Sequence, residues 1–213
     1  ITMALLSSSE WGDVKKLDLD RGATGMTWGP DGRLYIACQN NVIYTLDSRG
    51  KLERFAGQER EAGAKNGHRL DEATFGLDNF AVNLLFLETG EILLADANSH
   101  QIRMIKGDEV TTYAGSRRGF NDGPLELALF FFPTCVLEFE NQFFVTDSHN
   151  HAIRMIDAKG MVSTIFSDLK APLKSWTVED SVLTSFEHPF NMALSPDQPE
   201  IYICDPYSRF VVV

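Results

Sequence analysis

The chain has 213 residues, of which 44% are hydrophobic, and this is enough apolar side chain to fill the core of one sizeable domain. It carries 30 acidic and 19 basic residues, and the resulting net charge of −11 disfavours nucleic acid and anionic lipid as partners. No apolar run approaches the length of a membrane-spanning helix, so we expect no membrane partner.

The first repeating unit, near residues 23–57, is the least regular. A strand-like run at Leu34–Cys38 is followed by a turn at Asn40–Asn41 and by a second apolar run at Val42–Leu46. Short apolar runs separated by turn residues predict a β-hairpin. Cys38 stands where the later units have an aspartate, and the turn is shorter than theirs.

The second and third units superimpose without a gap, Ile92–Ile105 on Phe143–Ile156. Three polar positions are shared by the two units: Asp96, His100 and Arg103 in the second, and Asp147, His151 and Arg154 in the third. An aspartate that ends one strand lies near enough to pair with an arginine on the return strand of the hairpin. We therefore predict that these residues form a structural clamp that fixes the register of each hairpin, with the intervening Asn and His bonding the turn backbone.

A fourth unit, Ile201–Val211, keeps the strand and Asp205 but has Arg209 at the histidine position. Aligned isoleucines and valines give repeat spacings of 102 − 43 = 59, 153 − 102 = 51 and 211 − 153 = 58 residues. A unit of this length, read as about four short strands, is the size of one propeller blade with long connections. The predicted blade cores lie near 23–57, 75–115, 130–166 and 186–213 of a single domain.

The three cysteines, Cys38, Cys135 and Cys204, lie in apolar strand-like segments without CxxC spacing. This pattern favours reduced thiols in the core and a reducing compartment. The alternative, a disulfide or a shared metal, requires two cysteines to meet, and Cys38 and Cys204 end comparable strands. Because the opening residues 1–6 lack the basic region and longer apolar core of a secretory signal, we expect a cytoplasmic protein.

The motif strand-Asp-x-x-x-His-x-Ile-Arg, present at Asp96–Arg103 and Asp147–Arg154, resembles the core of the NHL repeat. The connections resemble its long-loop variant, with these landmarks: Ala-Gly at 56–57 and 114–115, Asp-Gly at 122–123, and Phe-x-x-Pro at 130–133 and 186–189. The resemblance covers residues 75–165 best, 23–57 and 186–211 less well, and is absent before about residue 20. It implies an all-β fold, a β-propeller of four-stranded antiparallel blades, of which about four are visible.

Members of this family close a ring of several blades, which at this repeat length takes on the order of 300 residues. Three alternatives therefore stay open for this chain. It is a fragment of a longer product, or a compact ring in which Val14–Leu19 acts as a closing strand, or one of two chains that complete a ring together.

Two enzyme classes of related fold are kept as alternatives. The resemblance to the amidating lyase of peptide hormone maturation rests on Tyr207 and Arg209 and implies a central zinc, but the histidine ligands are not in register. Zinc would need three of the five histidines to converge: His68, His100, His149, His151 and His188. The resemblance to calcium-dependent lactonase-like propellers implies polar side chains on the ring axis, and the candidates are Asn83, Asn191 and Asp205.

Some tripartite-motif NHL proteins bind RNA on a basic face, but here the basic clusters are only Arg117–Arg118 and Lys15–Lys16. The sequence also has no nucleophile elbow or phosphate loop, and we expect no cofactor or bound metal. We therefore predict a non-enzymatic scaffold that binds a protein partner through propeller loops. The candidate surfaces are the long connections Gly57–Asp71, Ser116–Leu127 and Ser167–Phe186, with packing between blades as the alternative for the first two.

Overall fold

The computed structural model describes residues 2–5, 15–18, 22–77, 82–167, 177–178, 181–182, 186–206 and 210–212, with side chains for 22–77, 82–167 and 186–206. In this part the chain is all-β, apart from a short 3₁₀ helix at Ser148–Asn150. The predicted fold class is confirmed, because the strands form successive antiparallel sheets with four-stranded cores. No helix among the described residues has the length and apolar character needed to cross a membrane.

The first sheet has four antiparallel strands in sequence order: β3 (Ala23–Trp28), β4 (Leu34–Cys38), β5 (Val42–Leu46) and β6 (Leu52–Ala56). Short polar turns join the strands. Between β5 and β6, Asp47 Oδ1 accepts hydrogen bonds from the backbone N–H groups of Arg49 (2.9 Å) and Lys51 (2.8 Å). Such an aspartate turn reverses the chain within four residues and so holds the two strands in register.

The second sheet repeats this order and adds one strand at its outer edge: β8 (Leu84–Phe86), β9 (Ile92–Asp96), β10 (Gln101–Lys106) and β11 (Glu109–Ala114), with β7 (Gly67–His68) beside β11. The added strand belongs to the connection that leaves the first sheet. That connection therefore crosses to the far edge of the second sheet before the chain returns to β8.

The third sheet has the same plan: β13 (Pro133–Phe139), β14 (Gln142–Asp147), β15 (Ala152–Ile156) and β16 (Met161–Ser167), with β12 (Gly123–Pro124) beside β16. Its last turn copies that of the first sheet, since Asp157 Oδ1 accepts from the backbone N–H groups of Lys159 and Met161, both at 2.9 Å.

The fourth sheet contains three described strands: β19 (Asn191–Leu194), β20 (Ile201–Asp205) and β21 (Phe210–Val212). Two separate hairpins complete the described strands: β1 (Thr2–Leu5) with β2 (Lys15–Asp18), and β17 (Thr177–Val178) with β18 (Ser181–Val182). The segment Val14–Leu19, expected as a closing strand of the ring, instead pairs through its residues 15–18 with β1 in a two-stranded sheet. A local partner within the same hairpin satisfies its backbone groups.

The sheets stack face to face, and an apolar layer fills each gap between them. We call the face that packs on the following sheet the forward face and the opposite one the rear face. The forward face of the first sheet meets the rear face of the second through Tyr35, Ala37, Leu84 and Leu94. Leu93, Ala95, Val136 and Val145 fill the next gap, and Cys135, Ile153, Met192 and Ile203 fill the third.

Consecutive sheets also touch through their first strands, β3 with β8, β8 with β13 and β13 with β19. The first strands are therefore the inner ones, and the later strands of each sheet lie progressively further out. Four-stranded sheets that stack face to face around an inner row of first strands are the arrangement of propeller blades.

Candidate functional site

A buried ion pair joins the two arms of the hairpin in the second sheet. Asp96 is the last residue of β9, and Arg103 is the third residue of β10. Arg103 Nη1 lies 3.1 Å from Asp96 Oδ2, and both side chains are fully buried. A charged pair without solvent is tolerated only where further hydrogen bonds satisfy both groups.

The connection that leads into the second sheet supplies these further bonds. Asp96 Oδ1 accepts from the backbone N–H of Gly76 (2.8 Å). Arg103 donates to the carbonyl oxygens of Thr74 (3.1 Å) and Lys65 (3.0 Å) and to Asn66 Oδ1 (2.8 Å). The pair thus fastens residues about 30 positions upstream, a role that goes beyond holding the two arms of one hairpin.

The third sheet repeats the arrangement with equivalent residues. Arg154 Nη1 lies 2.7 Å from Asp147 Oδ2, again with both side chains fully buried. Asp147 accepts from the backbone N–H of Phe131 (2.7 Å), and Arg154 donates to the carbonyl oxygens of Leu129 (3.0 Å) and Asn121 (2.7 Å). The connections Gly57–Asp71 and Ser116–Leu127, candidate partner surfaces in the sequence, are therefore bound in part to the following sheet. The connection Ser167–Phe186 lies almost wholly outside the described residues.

Burial raises the pKa of Asp96 and of Asp147 to about 6, although the neighbouring arginine and backbone N–H groups oppose this rise. A carboxyl with a raised pKa is a common feature of catalytic sites, but structural ion pairs perturb pKa values as well. Here both carboxyl groups are enclosed, and each already binds an arginine and a backbone N–H group. We assign them a structural role in the connections.

The three residues considered for a metal on the ring axis have separate roles. Asn83 precedes β8, and its Oδ1 accepts from the backbone N–H of Val136 on the next sheet (3.1 Å). Asn191 begins β19, is exposed, and accepts from the backbone N–H of Met192 (2.9 Å).

Asp205 holds the position in the fourth sheet that Asp96 and Asp147 hold in the second and third. It ends β20, the second strand of its sheet rather than the inner one, and is buried. Its Oδ2 accepts from the backbone N–H groups of Glu187 (2.7 Å) and His188 (3.0 Å). Asp205 therefore anchors the segment before its own sheet, as Asp96 does in the second sheet. Tyr207 and Arg209 lie outside the described residues.

The repeat histidines also differ from expectation. His100 and His151 adopt left-handed backbone conformations (φ 59° and 54°) and close their turns through the backbone. Their rings, however, contact the segment that leads into the following sheet. His100 Nδ1 accepts from the backbone N–H of Phe132 (3.3 Å), and His151 Nδ1 contacts the carbonyl oxygen of Glu187. The side chain that bonds within the turn region is that of Asn150, which donates to Asp147 Oδ2 (2.8 Å).

The turns of adjacent sheets bring basic and aromatic side chains together into one continuous strip. The Arg118 guanidinium carbon lies 3.9 Å from the ring centre of Phe131. Phe131 contacts His100 and His149 at ring-centre distances of 5.6 Å and 4.8 Å. His188 contacts His149 and His151, both at 5.1 Å. We call this set the histidine–aromatic strip; its members are His100, Arg118, Phe131, His149, His151 and His188.

The strip was not predicted from the sequence, because its members come from two turns and two connections that are distant in sequence. In the strip, Arg118 is exposed and the five rings are partly exposed. His149 lies at its centre, stacked on Phe132 at 4.6 Å. Partial burial lowers the pKa of His149, and the positive charges of His188, His151, His100 and Arg118 lower it further.

Three histidines do meet in the strip, yet none of the described His, Cys, Asp and Glu residues form a group of three that could hold a metal ion. His188 Nδ1 faces the carbonyl oxygen of Ser148 (3.3 Å), so backbone contacts orient this ring. His68 lies apart from the strip and contacts Asp71 (2.9 Å).

The cysteines and the basic clusters are the remaining predicted sites. Cys38, Cys135 and Cys204 are free thiols, so the disulfide alternative does not hold. Burial raises the pKa of Cys38 and Cys135 to about 12, which keeps both thiols protonated and unreactive. Of the basic residues, Arg117 and Arg118 are exposed, and the side chains of residues 15 and 16 lie outside the described part.

Comparison with known proteins identifies the fold of this chain but does not identify a family. No family model matches the sequence, and no curated protein matches it. Solved structures do match. An auxiliary nutrient binding protein from Bacteroides thetaiotaomicron is 16% identical with a TM-score of 0.67, and the match covers 94% of this chain and 49% of that chain. A protein of unknown function from the same organism is 17% identical with a TM-score of 0.64, and the match covers 88% of this chain and 45% of that chain. A streptogramin B lyase matches as well, with 17% identity and a TM-score of 0.58, over 92% of this chain and 52% of that chain.

The chain therefore spans about half the length of these solved structures. At such low identity the likeness concerns the fold, which is that of β-propeller proteins. The sheet order, the stacking and these matches together show an all-β chain of consecutive propeller sheets.

Proposed function

We propose that this chain is a non-enzymatic interaction module of the NHL-repeat type, and that it binds a protein segment on the histidine–aromatic strip. The observation that carries the proposal is the strip itself, a row of basic and aromatic side chains on a chain with a net charge of −11. The strip lies where the connection after the second sheet and the segment before the fourth sheet meet the turns of the second and third sheets.

The chemistry of the strip favours a partner that carries carboxylates. Arginine is enriched among the residues that contribute most to binding at protein interfaces, and aromatic rings supply a large contact area with only two side-chain torsions to immobilise. The rest of the surface is dominated by acidic groups and repels an acidic partner. The positive charge of Arg118 and the ring N–H groups of the histidines therefore favour binding of such a partner at this face.

Rigid support is the second argument for this site. The segment Leu129–Phe131 is fastened by the buried pair Asp147–Arg154, through the Phe131 N–H and the Leu129 carbonyl. His100 and His188 are also oriented by backbone contacts. A surface that is ordered before binding loses less conformational entropy when a partner is bound.

The NHL assignment rests on the Asp-x-x-x-His-x-Ile-Arg units and on the connections that their Asp and Arg bind. The matched structures include a nutrient binding protein and a lyase, so one architecture serves unrelated activities. The fold alone does not select a function, and our proposal depends on the side chains of the strip. The metal-dependent enzyme and RNA-binding alternatives stay predictions from sequence.

The test uses an array of immobilised peptides of varied charge as the probe. We expect the purified chain to retain peptides that carry Glu or Asp beside an aromatic residue, and to lose them when their acidic residues are replaced by Lys. Arg118→Glu and Phe131→Ala should abolish this retention. Phe131→Ala keeps the backbone N–H that bonds Asp147, so this anchor of the connection is retained.

Arg117→Glu is the matched control, because Arg117 is the exposed neighbour of Arg118 and has the same charge. We expect this variant to retain the peptides. Equal loss in both arginine variants would indicate a general charge effect and contradict a site on the strip. Retention of a single-stranded RNA probe that weakens steeply with salt, in place of the peptides, would support the nucleic-acid alternative.

A further inference from the structure

Four of the five histidines of this chain belong to the histidine–aromatic strip, and their charge depends on pH in the range near neutrality. Arg118 is different, because a guanidinium group stays protonated at every pH at which proteins are folded. A neutral imidazole carries no charge, and a protonated one carries a full positive charge. The positive charge that the strip offers to a carboxylate is therefore set by pH.

Three of these rings are in direct contact. The ring centre of His188 lies 5.1 Å from that of His149 and 5.1 Å from that of His151. At this separation, a positive charge on one ring opposes a second positive charge on its neighbour. The three rings therefore titrate as a coupled set, in which the first proton hinders the uptake of the next.

Backbone contacts fix which nitrogen carries the proton in two of the neutral rings. His151 Nδ1 contacts the carbonyl oxygen of Glu187, and His188 Nδ1 faces the carbonyl oxygen of Ser148 at 3.3 Å. A carbonyl oxygen can only accept a hydrogen bond, so Nδ1 is the protonated nitrogen in both rings. A further proton is therefore taken up at Nε2, and both rings keep their backbone contacts when they become charged.

His149, at the centre of the strip, is surrounded by basic groups. Its ring is stacked on Phe132 with the ring centres 4.6 Å apart. Partial burial lowers the pKa of His149, and four basic groups of the strip lower this pKa further. These groups are His188, His151, His100 and Arg118. A proton on His149 thus meets repulsion from each of them.

A carboxylate bound on the strip has the opposite effect on the imidazole rings. A negative charge close to an imidazole favours its protonated form. The complex therefore holds protons that the free strip releases. By linkage, the same interaction makes the carboxylate bind more tightly when the rings are protonated.

We propose that an acidic protein segment binds the histidine–aromatic strip together with a proton, so that its affinity rises as the pH falls from neutrality to about 5. This inference rests on the function proposed for the strip and adds the regulation of that site. Below about pH 4 the carboxylates of the segment are themselves protonated, and the affinity falls again. The strip thus holds its partner at mildly acidic pH and releases it as the pH rises.

Fluorescence anisotropy with a labelled peptide, Gly-Glu-Phe-Glu-Gly, measures the affinity of the purified chain between about pH 5 and about pH 8. We expect the affinity to fall with rising pH by up to about tenfold per pH unit, the slope produced by one linked proton. Calorimetry in two buffers that differ in protonation enthalpy counts the protons without any mutation. It should show uptake of about one proton per bound peptide.

A double variant tests whether the proton binds at the strip. His149→Phe with His188→Gln removes two of the contacting imidazoles, and the new phenyl ring keeps the stacking on Phe132. This variant should bind the peptide weakly through Arg118, with a much smaller dependence on pH. Titration of the peptide's own carboxylates is common to all variants, so the difference from the wild type reports the two rings.

His68→Gln is the matched control, because His68 lies apart from the strip beside Asp71. The control should keep the pH dependence of the wild type. Circular dichroism should show the same fold for the control, the double variant and the wild type.

The outcomes separate this inference from the function proposed for the strip. Binding of the peptide by the wild type with the same affinity at every pH, or without proton uptake, would overturn the inference and leave the proposed function standing. An unchanged pH dependence in the double variant would also overturn it, because the proton would then bind elsewhere. Failure of the wild type to bind the peptide at any pH would overturn the proposed function and the inference together.

Discussion

At the scale of the residue, the buried pairs Asp96–Arg103 and Asp147–Arg154 connect parts of the chain that are distant in sequence. Each arginine donates to backbone carbonyl groups of the preceding connection, and each aspartate accepts a backbone N–H from it. Loss of one partner would leave a buried charge without its counter-charge, and several backbone groups would lose a hydrogen bond.

Arg154→Met is therefore expected to lower the free energy of unfolding by about 3 to 5 kcal/mol. The matched control is Arg33→Met, because Arg33 pairs with Asp31 at 2.7 Å on the surface, where the side chains are 41% and 36% exposed. Arg33→Met should lower the free energy of unfolding by no more than about 1 kcal/mol. Chemical denaturation of the two variants measures both values, and equal costs would contradict an anchoring role for the buried pair.

The raised pKa of Asp96 predicts a pH dependence of stability. The folded chain binds this proton more tightly than the unfolded chain, since burial raises the pKa from 3.8 to about 6. The pH-dependent part of the Asp96 contribution to stability is therefore fully present below about pH 4 and is lost as the pH rises through about 6. The stability difference between the wild type and Asp96→Asn should fall over this interval and stay constant above it.

Asp47→Asn provides a control of opposite sign. Asp47 is partly exposed, and backbone N–H groups, that of Lys51 foremost, lower its pKa. Its contribution is therefore present above the pKa of the unfolded chain and is lost as the pH falls. Denaturation curves at several pH values test both signs. A difference for Asp96→Asn that grows with pH would mean that the arginine and the N–H donors outweigh burial.

At the scale of the element, the Ala-Gly pairs that follow the last strand of a sheet allow close approach between two segments. Gly115 has φ +84°, and a Cβ at this position would lie 2.8 Å from the carbonyl oxygen of His100 and 2.8 Å from the Phe130 ring. Gly57 stands in the same relation to Asn41 and Phe75. The glycine thus sets the distance between the turn and the connection that crosses it.

Gly115→Ala is expected to destabilise the chain more than Gly107→Ala. Both glycines have positive φ, so both variants incur the same kind of backbone strain. Only at Gly115 would the added Cβ clash with backbone and ring atoms, whereas at Gly107 it meets open space. A difference in unfolding free energy on the order of 1 to 3 kcal/mol measures this clash. Equal unfolding free energies for the two variants would show that the connection shifts to accommodate the added methyl group without loss of stability.

The elements also show how far the sequence predicts the fold. The hairpins at Asp96–Arg103 and Asp147–Arg154 are where the repeat places them, because their residues are close in sequence and alternate between two faces. The strands β7 and β12 were not predicted. Each has two residues, and each exists because the connection meets the edge of the next sheet.

At the scale of the whole molecule, stacked sheets depend on their neighbours for stability. The second and third sheets are covered on both faces, but the described part of the fourth sheet packs only through its rear face. The stability of such arrays is approximately the sum of the intrinsic stability of each unit and the interaction free energies between adjacent units. The middle sheets should therefore open least often.

Hydrogen exchange measured by mass spectrometry is expected to show the slowest exchange in β9–β10 and β14–β15 and faster exchange in β19–β20. Uniform exchange in all four sheets would contradict this order.

The sequence by itself determined the all-β class, the repeat, the hairpins, and the pairing of Asp with Arg, because these features arise from residues within one unit. Only the tertiary structure decided that His100 and His151 contact the following sheet, that Asp205 anchors a connection, and that six side chains form the strip. The physical reason is range: strand alternation encodes contacts inside a hairpin, whereas contacts between sheets depend on how rigid units stack, and no local pattern specifies that stacking.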